Sequence, residues 1–296
     1  MKRIYHLAVL LLLTLPASAQ QKTEEVKEEP LCLISPASTD MSAKQLIILH
    51  TSDMHSRVEP INPDAADTYA GMGGMARRAS FIKQVRSKHP DMLLLDCGDI
   101  SQGTPYYNLF QGEVEVKMMN LMKYDAMTIG NHEFDFGLEN MARLFRMASF
   151  PVVCANYDMT GTVLEDLVKP YIILERNGLK IGLFGISPKM EGLVQADKCE
   201  GIVFNDPIKV AQEMADLLKL EKGCDVVVCL SHLGIKEDEQ LAGKTSNIDA
   251  ILGGHSHTFM EKPVSYLNAV GKNVPLLHTG KSGIFVGEQV LTLKKK

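Results

Sequence analysis

At 296 residues the chain can hold one large domain or two small ones. Its 45% hydrophobic and 23% charged residues are ordinary for a soluble globular protein able to bury a full core. A formal charge of −5 argues against general nucleic-acid binding, which neutralises phosphates with Lys and Arg, and the Lys294-Lys295-Lys296 end is too short to change that.

The chain opens with a secretory pattern. Lys2 and Arg3 supply the positive end, Leu7 to Leu15 the apolar stretch, and Ala17-Ser18-Ala19 a small-residue cleavage site. Cleavage before Gln20 removes two cations, moves the charge to −7, and implies a secreted or periplasmic protein. The apolar stretch is too short to span a bilayer and no later segment is longer, so no membrane span is expected. Residues 20–44, rich in Glu, Lys, Ser and Pro, read as a flexible leader, and 45–296 as one domain.

Leu46-Ile47-Ile48-Leu49 is a strand-type run, followed by a helix over 73–88 with Met75, Ala79, Ile82 and Val85 at helical spacing. Met92–Leu95 is the next strand, then a helix at 113–123 and strands at 125–129 and 151–155. Asn177-Gly178 between 171–174 and 180–186 is a hairpin signal, because both residues tolerate positive φ. A helix at 207–221, strands at 225–230 and 248–252, and short β-segments over 263–293 complete the pattern. Alternating strands and helices with inserted hairpins predict a mixed α/β fold, sheet inside and helices outside.

The six cysteines show neither a disulfide nor a zinc framework. Cys97, Cys154 and Cys229 lie in apolar runs where a thiol behaves as a small hydrophobe, and Cys224–Cys229 is the one bridge worth considering.

Five segments, each ending an expected strand, carry metal-ligand side chains: Asp53-Met54-His55, Gly98-Asp99, Gly130-Asn131-His132-Glu133, Ser231-His232 and Gly254-His255-Ser256-His257. They hold five of the nine histidines. Ligands in open α/β sheets bind where strand C-termini project into a crevice, so position adds weight to residue type. Alone, Asp99 would read as an Asx-turn or N-cap residue; within the set, its two carboxylate oxygens suit a bridge between two cations. One site would hold Asp53, His55, Asp99 and His257, the other Asp99, Asn131, His232 and His255. Mixed N and O ligands without thiolate suit Zn, Mn, Fe or Co rather than Ca. Asp135, three residues beyond His132, can accept a hydrogen bond from the imidazole and orient it for catalysis. Glu133 is assigned to local backbone hydrogen bonding. His50, His89 and His278 read as structural or exposed, and Arg57, Arg77 and Arg78 as surface charges rather than phosphate contacts.

Thr51-Ser52-Asp53-Met54-His55, Gly98-Asp99-Ile100-Ser101-Gln102-Gly103-Thr104-Pro105 and Gly130-Asn131-His132-Glu133-Phe134-Asp135 resemble the calcineurin-like metallophosphoesterase superfamily, in its 5′-nucleotidase branch with UDP-sugar hydrolases and 2′,3′-cyclic nucleotide phosphodiesterases. From about residue 45 onward the resemblance implies a four-layer α-β-β-α sandwich, a two-metal centre with the ligands above, and catalysis by His132 with Asp135. It also implies a second domain with an aromatic clamp, for which this chain offers no paired aromatic segment and no Trp. The expectation is an exported two-metal phosphoester hydrolase for nucleotides. The alternatives are another small phosphoester as substrate, or a metal-binding subunit that needs a separate substrate-binding chain.

Overall fold

The computed structural model describes residues 43–294, all within one compact unit, Ala37–Lys296. Residues 1–19 and most of 20–44 lie outside the described residues; Ala43 and Lys44 already belong to a strand. The first half runs β1 (Ala43–Thr51), α1 (Met75–Lys88), β2 (Leu93–Asp96), α2 (Pro105–Phe110), α3 (Glu113–Met122), β3 (Ala126–Thr128), α4 (Gly137–Met147), β4 (Val152–Val153), β5 (Tyr157–Asp158) and β6 (Val168–Lys169). The hairpin β7 (Tyr171–Arg176) and β8 (Leu179–Ile186) follows, then β9 (Val203–Phe204) and α5 (Pro207–Asp216). Last come β10 (Val226–Ser231), α6 (Ile235–Lys244), β11 (Ala250–Gly253), β12 (Val264–Leu267), β13 (Asn273–His278) and β14 (Gly287–Lys294).

Two six-stranded mixed sheets result, in the orders β14-β1-β2-β3-β4-β6 and β12-β13-β11-β10-β8-β7. In the first, β1, β2, β3, β4 and β6 pair in parallel and β14 closes antiparallel on β1, while β5 pairs antiparallel with β9 apart from both sheets. In the second, β8, β10, β11 and β13 are parallel, with β7 and β12 antiparallel at the edges.

Side-chain alternation explains the layering. Leu46, Ile48, Leu93 and Leu95 of the first sheet meet Ile181, Leu183, Val228, Leu230 and Leu252 of the second in one buried inter-sheet core. The opposite pleat, Leu49 and Leu94, packs on helix residues such as Ile82, Met119 and Phe145. On the far side Phe184, Val227 and Ile251 meet Ala211, Ala215 and Leu241 from α5 and α6. This is the expected α-β-β-α sandwich.

Local signals account for several boundaries. Asn177 and Gly178 adopt φ of 50° and 63° and close the β7–β8 hairpin. Pro207 starts α5, and the Asp206 carboxylate accepts the Lys209 N–H at 2.8 Å as its cap. The expected helix to 221 instead widens after Asp216 into a π-turn over Leu217–Glu221. No described helix is long and apolar enough to cross a membrane.

Leu95 is fully buried between the sheets, whereas Leu121 on α3 is 76% exposed. Leu95→Ala should cost about 2–5 kcal/mol in urea unfolding, and Leu121→Ala less than about 0.5 kcal/mol. Equal losses would refute the layer assignment.

Candidate metal centre

All five ligand-bearing segments leave the C-terminal ends of parallel strands: β1, β2 and β3 in one sheet, β10 and β11 in the other. The turns are laced together by the backbone. Asp53 N–H donates to the Gly98 carbonyl at 2.9 Å, and His55 N–H to the Asp99 carbonyl at 3.0 Å. The Asp53 carboxylate accepts the His255 N–H at 2.9 Å, joining the two sheets across the site.

Glu133 is the strongest tie. Its buried carboxylate accepts N–H bonds from Gly130 (2.6 Å), Asp99 (2.9 Å), Ile100 (3.0 Å) and Ser101 (3.4 Å). Backbone bonding by Glu133 was expected, but three of its four donors lie in the turn after β2 rather than in its own. Burial and the nearby Asp99 charge push its carboxyl up to about 7, against the pull of these donors. The two turns touch so closely that a Cβ on Gly130 would sit 2.2 Å from Asp99 Oδ1, and one on Gly98 2.5 Å from Gly130 N. Only glycine permits that approach.

Five of the predicted ligands are themselves in left-handed backbone: Asp53 (φ 49°), His55 (47°), Asp99 (56°), His255 (73°) and His257 (53°). Such conformations persist for non-glycine residues only where the surroundings impose them, and they cluster at functional sites.

Hydrogen bonds on the far side of each ring decide which nitrogen faces the centre. A carbonyl can only accept, so His232 Nδ1–H donates to Cys97 O (2.6 Å) and His55 Nδ1–H to Ser101 O (3.3 Å). Both Nε2 atoms are thereby turned inward. The expected ligands form two groups of close donor atoms, Asp53, His55 and His257, and Asp99, His232 and His255; a third group, His55, Asp99 and His132, overlaps both. Asp99 lies between them, its Oδ2 3.1 Å from His232 Nε2 and 4.0 Å from His55 Nε2. Asp53 Oδ1 is 3.7 Å from His257 Nε2 and 4.0 Å from His232 Nε2.

Three observations fit divalent cations to these residues. Asn131 Oδ1 is buried with no hydrogen-bond partner among the described residues. The Nε2 atoms of His55 and His257 stand 2.8 Å apart, with the lone pair of His55 aimed at its neighbour. Burial pushes Asp53 up to about 6 despite the nearby His232, which marks a carboxylate short of positive charge. Burial also opposes charge on Asp99 and His232, yet their contact holds Asp99 below the ordinary carboxylate range and His232 up at about 10.

His132 stands at the rim, about a third exposed. Its Nδ1 is 3.1 Å from Asp135 Oδ2, and this bond raises its pKa above the ordinary imidazole value. Its backbone N–H donates to Asp99 Oδ1 at 2.9 Å, and its ring also groups with His55 and Asp99.

Several side expectations need correction. Arg78 is buried, not a surface charge: its guanidinium donates to Gly283 O at 3.1 Å. His50 and His278 take the structural of their two expected roles: both are buried, and His278 Nε2 contacts the Asp238 carboxylate at 2.8 Å. Cys224 and Cys229 are free thiols, so the considered bridge is absent. The fold also pairs aromatics that the sequence keeps apart, stacking Phe259 on Phe285 with centroids 4.0 Å apart.

The two-sheet sandwich thus gathers N and O donors suited to divalent cations at its strand ends. Residues 46–259 match the calcineurin-like phosphoesterase family, and the chain belongs to it. It is 38% identical to a snake venom 5′-nucleotidase of Crotalus adamanteus, over 73% of this chain and 37% of that protein. It superposes on a 5′-nucleotidase precursor from Thermus thermophilus with a TM-score of 0.78 at 30% identity, covering 85% of this chain and 54% of that one. The calcineurin-like phosphoesterase YfkN from Bacillus subtilis gives 0.72 at 30% identity, with 86% of both chains covered. Across the first curated relatives the chain spans between 37% and 51% of their length.

Two variants probe the geometry. Glu133→Gln turns an amide NH₂ toward backbone donors, so the metal-free protein should lose about 1–3 kcal/mol of stability; an unchanged metal-free melting curve would remove Glu133 as the tie. Asp99→Asn should lower the metal content at both positions, and two tightly held ions in that variant would exclude a bridging role.

Proposed function

We propose that this domain hydrolyses nucleotide phosphoesters with two divalent cations. Asp53, His55, Asp99 and His257 would hold one, and Asp99, Asn131, His232 and His255 the other. The observation that carries the reading is the gathering of Asp53, His55 and His257, and of Asp99, His232 and His255, into adjoining groups of close donor atoms, with the His132–Asp135 pair at the rim. Bound there, divalent cations supply positive charge to phosphoryl oxygens and acidify a water for in-line attack.

The residues contribute the rest. Glu133 and the left-handed turns fix the ligands before substrate arrives, so little reorganisation is left for the reaction itself. His132 has Nδ1 occupied by Asp135, which leaves Nε2 for the substrate. From there the imidazolium stabilises the developing negative charge or protonates the leaving oxygen. Nucleotides are favoured because the venom and Thermus relatives are named 5′-nucleotidases. Export completes the reading; it rests on Lys2, Arg3 and Leu7 to Leu15, outside the described residues.

The purified chain should cleave AMP, p-nitrophenyl phosphate or its bis-ester with Mn²⁺ and lose that activity in EDTA. No turnover with Mn²⁺, Zn²⁺ or Co²⁺ would favour a metal-binding subunit dependent on a second chain. His132→Asn should retain its metals while kcat falls about 10²–10⁴-fold. Loss of an ion in that variant would make His132 a ligand instead.

A further inference from the structure

The described turn after β13 brings a cation to the rim of the centre. Gly280 N–H donates to the Thr258 carbonyl at 2.9 Å, the residue after His257. Ser282 N–H donates to the carbonyl of Asp53 at 2.7 Å. Lys281, between them, is thus held beside two residues of one donor group, Asp53 and His257. The turn is fastened from below by Arg78, whose bond to Gly283 O explains why that arginine is buried. A Cβ on Gly283 would fall 1.7 Å from Arg78 Nη2, so the turn lies flat on the guanidinium.

Lys281 itself is exposed. A compact ammonium on a flexible stem, with three donors, is well suited to a phosphoryl oxygen as a point charge.

We propose that Lys281 is a specificity-determining residue that binds the extra terminal oxygen of a phosphomonoester dianion. This rests on the phosphoester reading above and refines it. A diester near neutral pH carries one charge and two free oxygens, whereas a monoester carries close to two charges and three free oxygens. With two oxygens facing the ligand cluster, the third remains for Lys281. Monoesters gain from the lysine; diesters do not.

The test compares wild type, Lys281→Ala and Lys281→Arg with Mn²⁺ at about pH 8, where the monoester is a dianion. For Lys281→Ala, KM for p-nitrophenyl phosphate should rise about fivefold to tenfold with kcat nearly unchanged, the scale of one partly exposed charge-assisted contact. KM for bis-p-nitrophenyl phosphate should stay put, and Lys281→Arg should restore most of the loss. Calorimetric titration of the Mn²⁺-loaded proteins with inorganic phosphate should show the same weakening. Equal effects on both esters, no effect on either, or loss of Mn²⁺-induced stabilisation in Lys281→Ala would overturn the role. If wild type turns over neither ester, the hydrolase reading fails instead. The phosphate titration still decides Lys281 by whether Lys281→Ala binds more weakly than wild type.

Discussion

Four backbone N–H groups converge on the Glu133 carboxylate, and the centre depends on that convergence. Without it the turns after β2 and β3 would be joined mainly by the His132 N–H bond to Asp99 Oδ1. Glu133 clamps them until Gly98 meets Gly130, and this sets Asp99 between the two donor groups. Among the described residues the carboxylate accepts no hydrogen bond from a proposed ligand side chain. It acts by removing backbone freedom, so that left-handed conformations unfavourable in isolation become the ones the surroundings demand.

A second constraint comes from the sandwich. Ligands are drawn from both sheets, so the inter-sheet core sets the distance between Asp53 and Asp99 on one side and His232, His255 and His257 on the other. The 2.9 Å bond from His255 N–H to Asp53 crosses that gap directly. Behind it, the buried Asp238–His278 contact and the Ser231 hydroxyl, which donates to Asp238, brace the strand ends just before His232 and Gly254. Core stability and site geometry are therefore linked through the same strands.

The donor cluster was legible because carboxylates and imidazoles placed directly after apolar strands are gathered by the parallel strand ends. Asp53, His55, Asp99, His232, His255 and His257 fall into groups of close donor atoms, His132 and Asp135 pair at the rim, and Asn131 Oδ1 is buried without a partner among the described residues; the roles given to them remain proposals. What stayed hidden is what tertiary contact creates. Arg78 looks like any helix cation until Gly283 covers it. Lys281 sits in a short Gly-Ser turn with no motif, and only the bonds to Thr258 and Asp53 give it a place. Three helices have no counterpart in the sequence pattern: α2 is a six-residue helix, α4 begins at Gly137 without a polar cap, and α6 buries little beyond Asp238, Leu241 and Ala242. Glu133 was assigned to the backbone correctly, but its partners some thirty residues away follow from the adjacency of β2 and β3.

The central claim is that Asp99 stands between two cation positions in one preformed centre. Anomalous diffraction from crystals soaked in Mn²⁺ tests it most directly. The account predicts two peaks about 3.5–4 Å apart, one on each side of Asp99 Oδ2, with His132 coordinating neither. A single peak, or a peak ligated by His132 in place of Asn131 or His257, would contradict it.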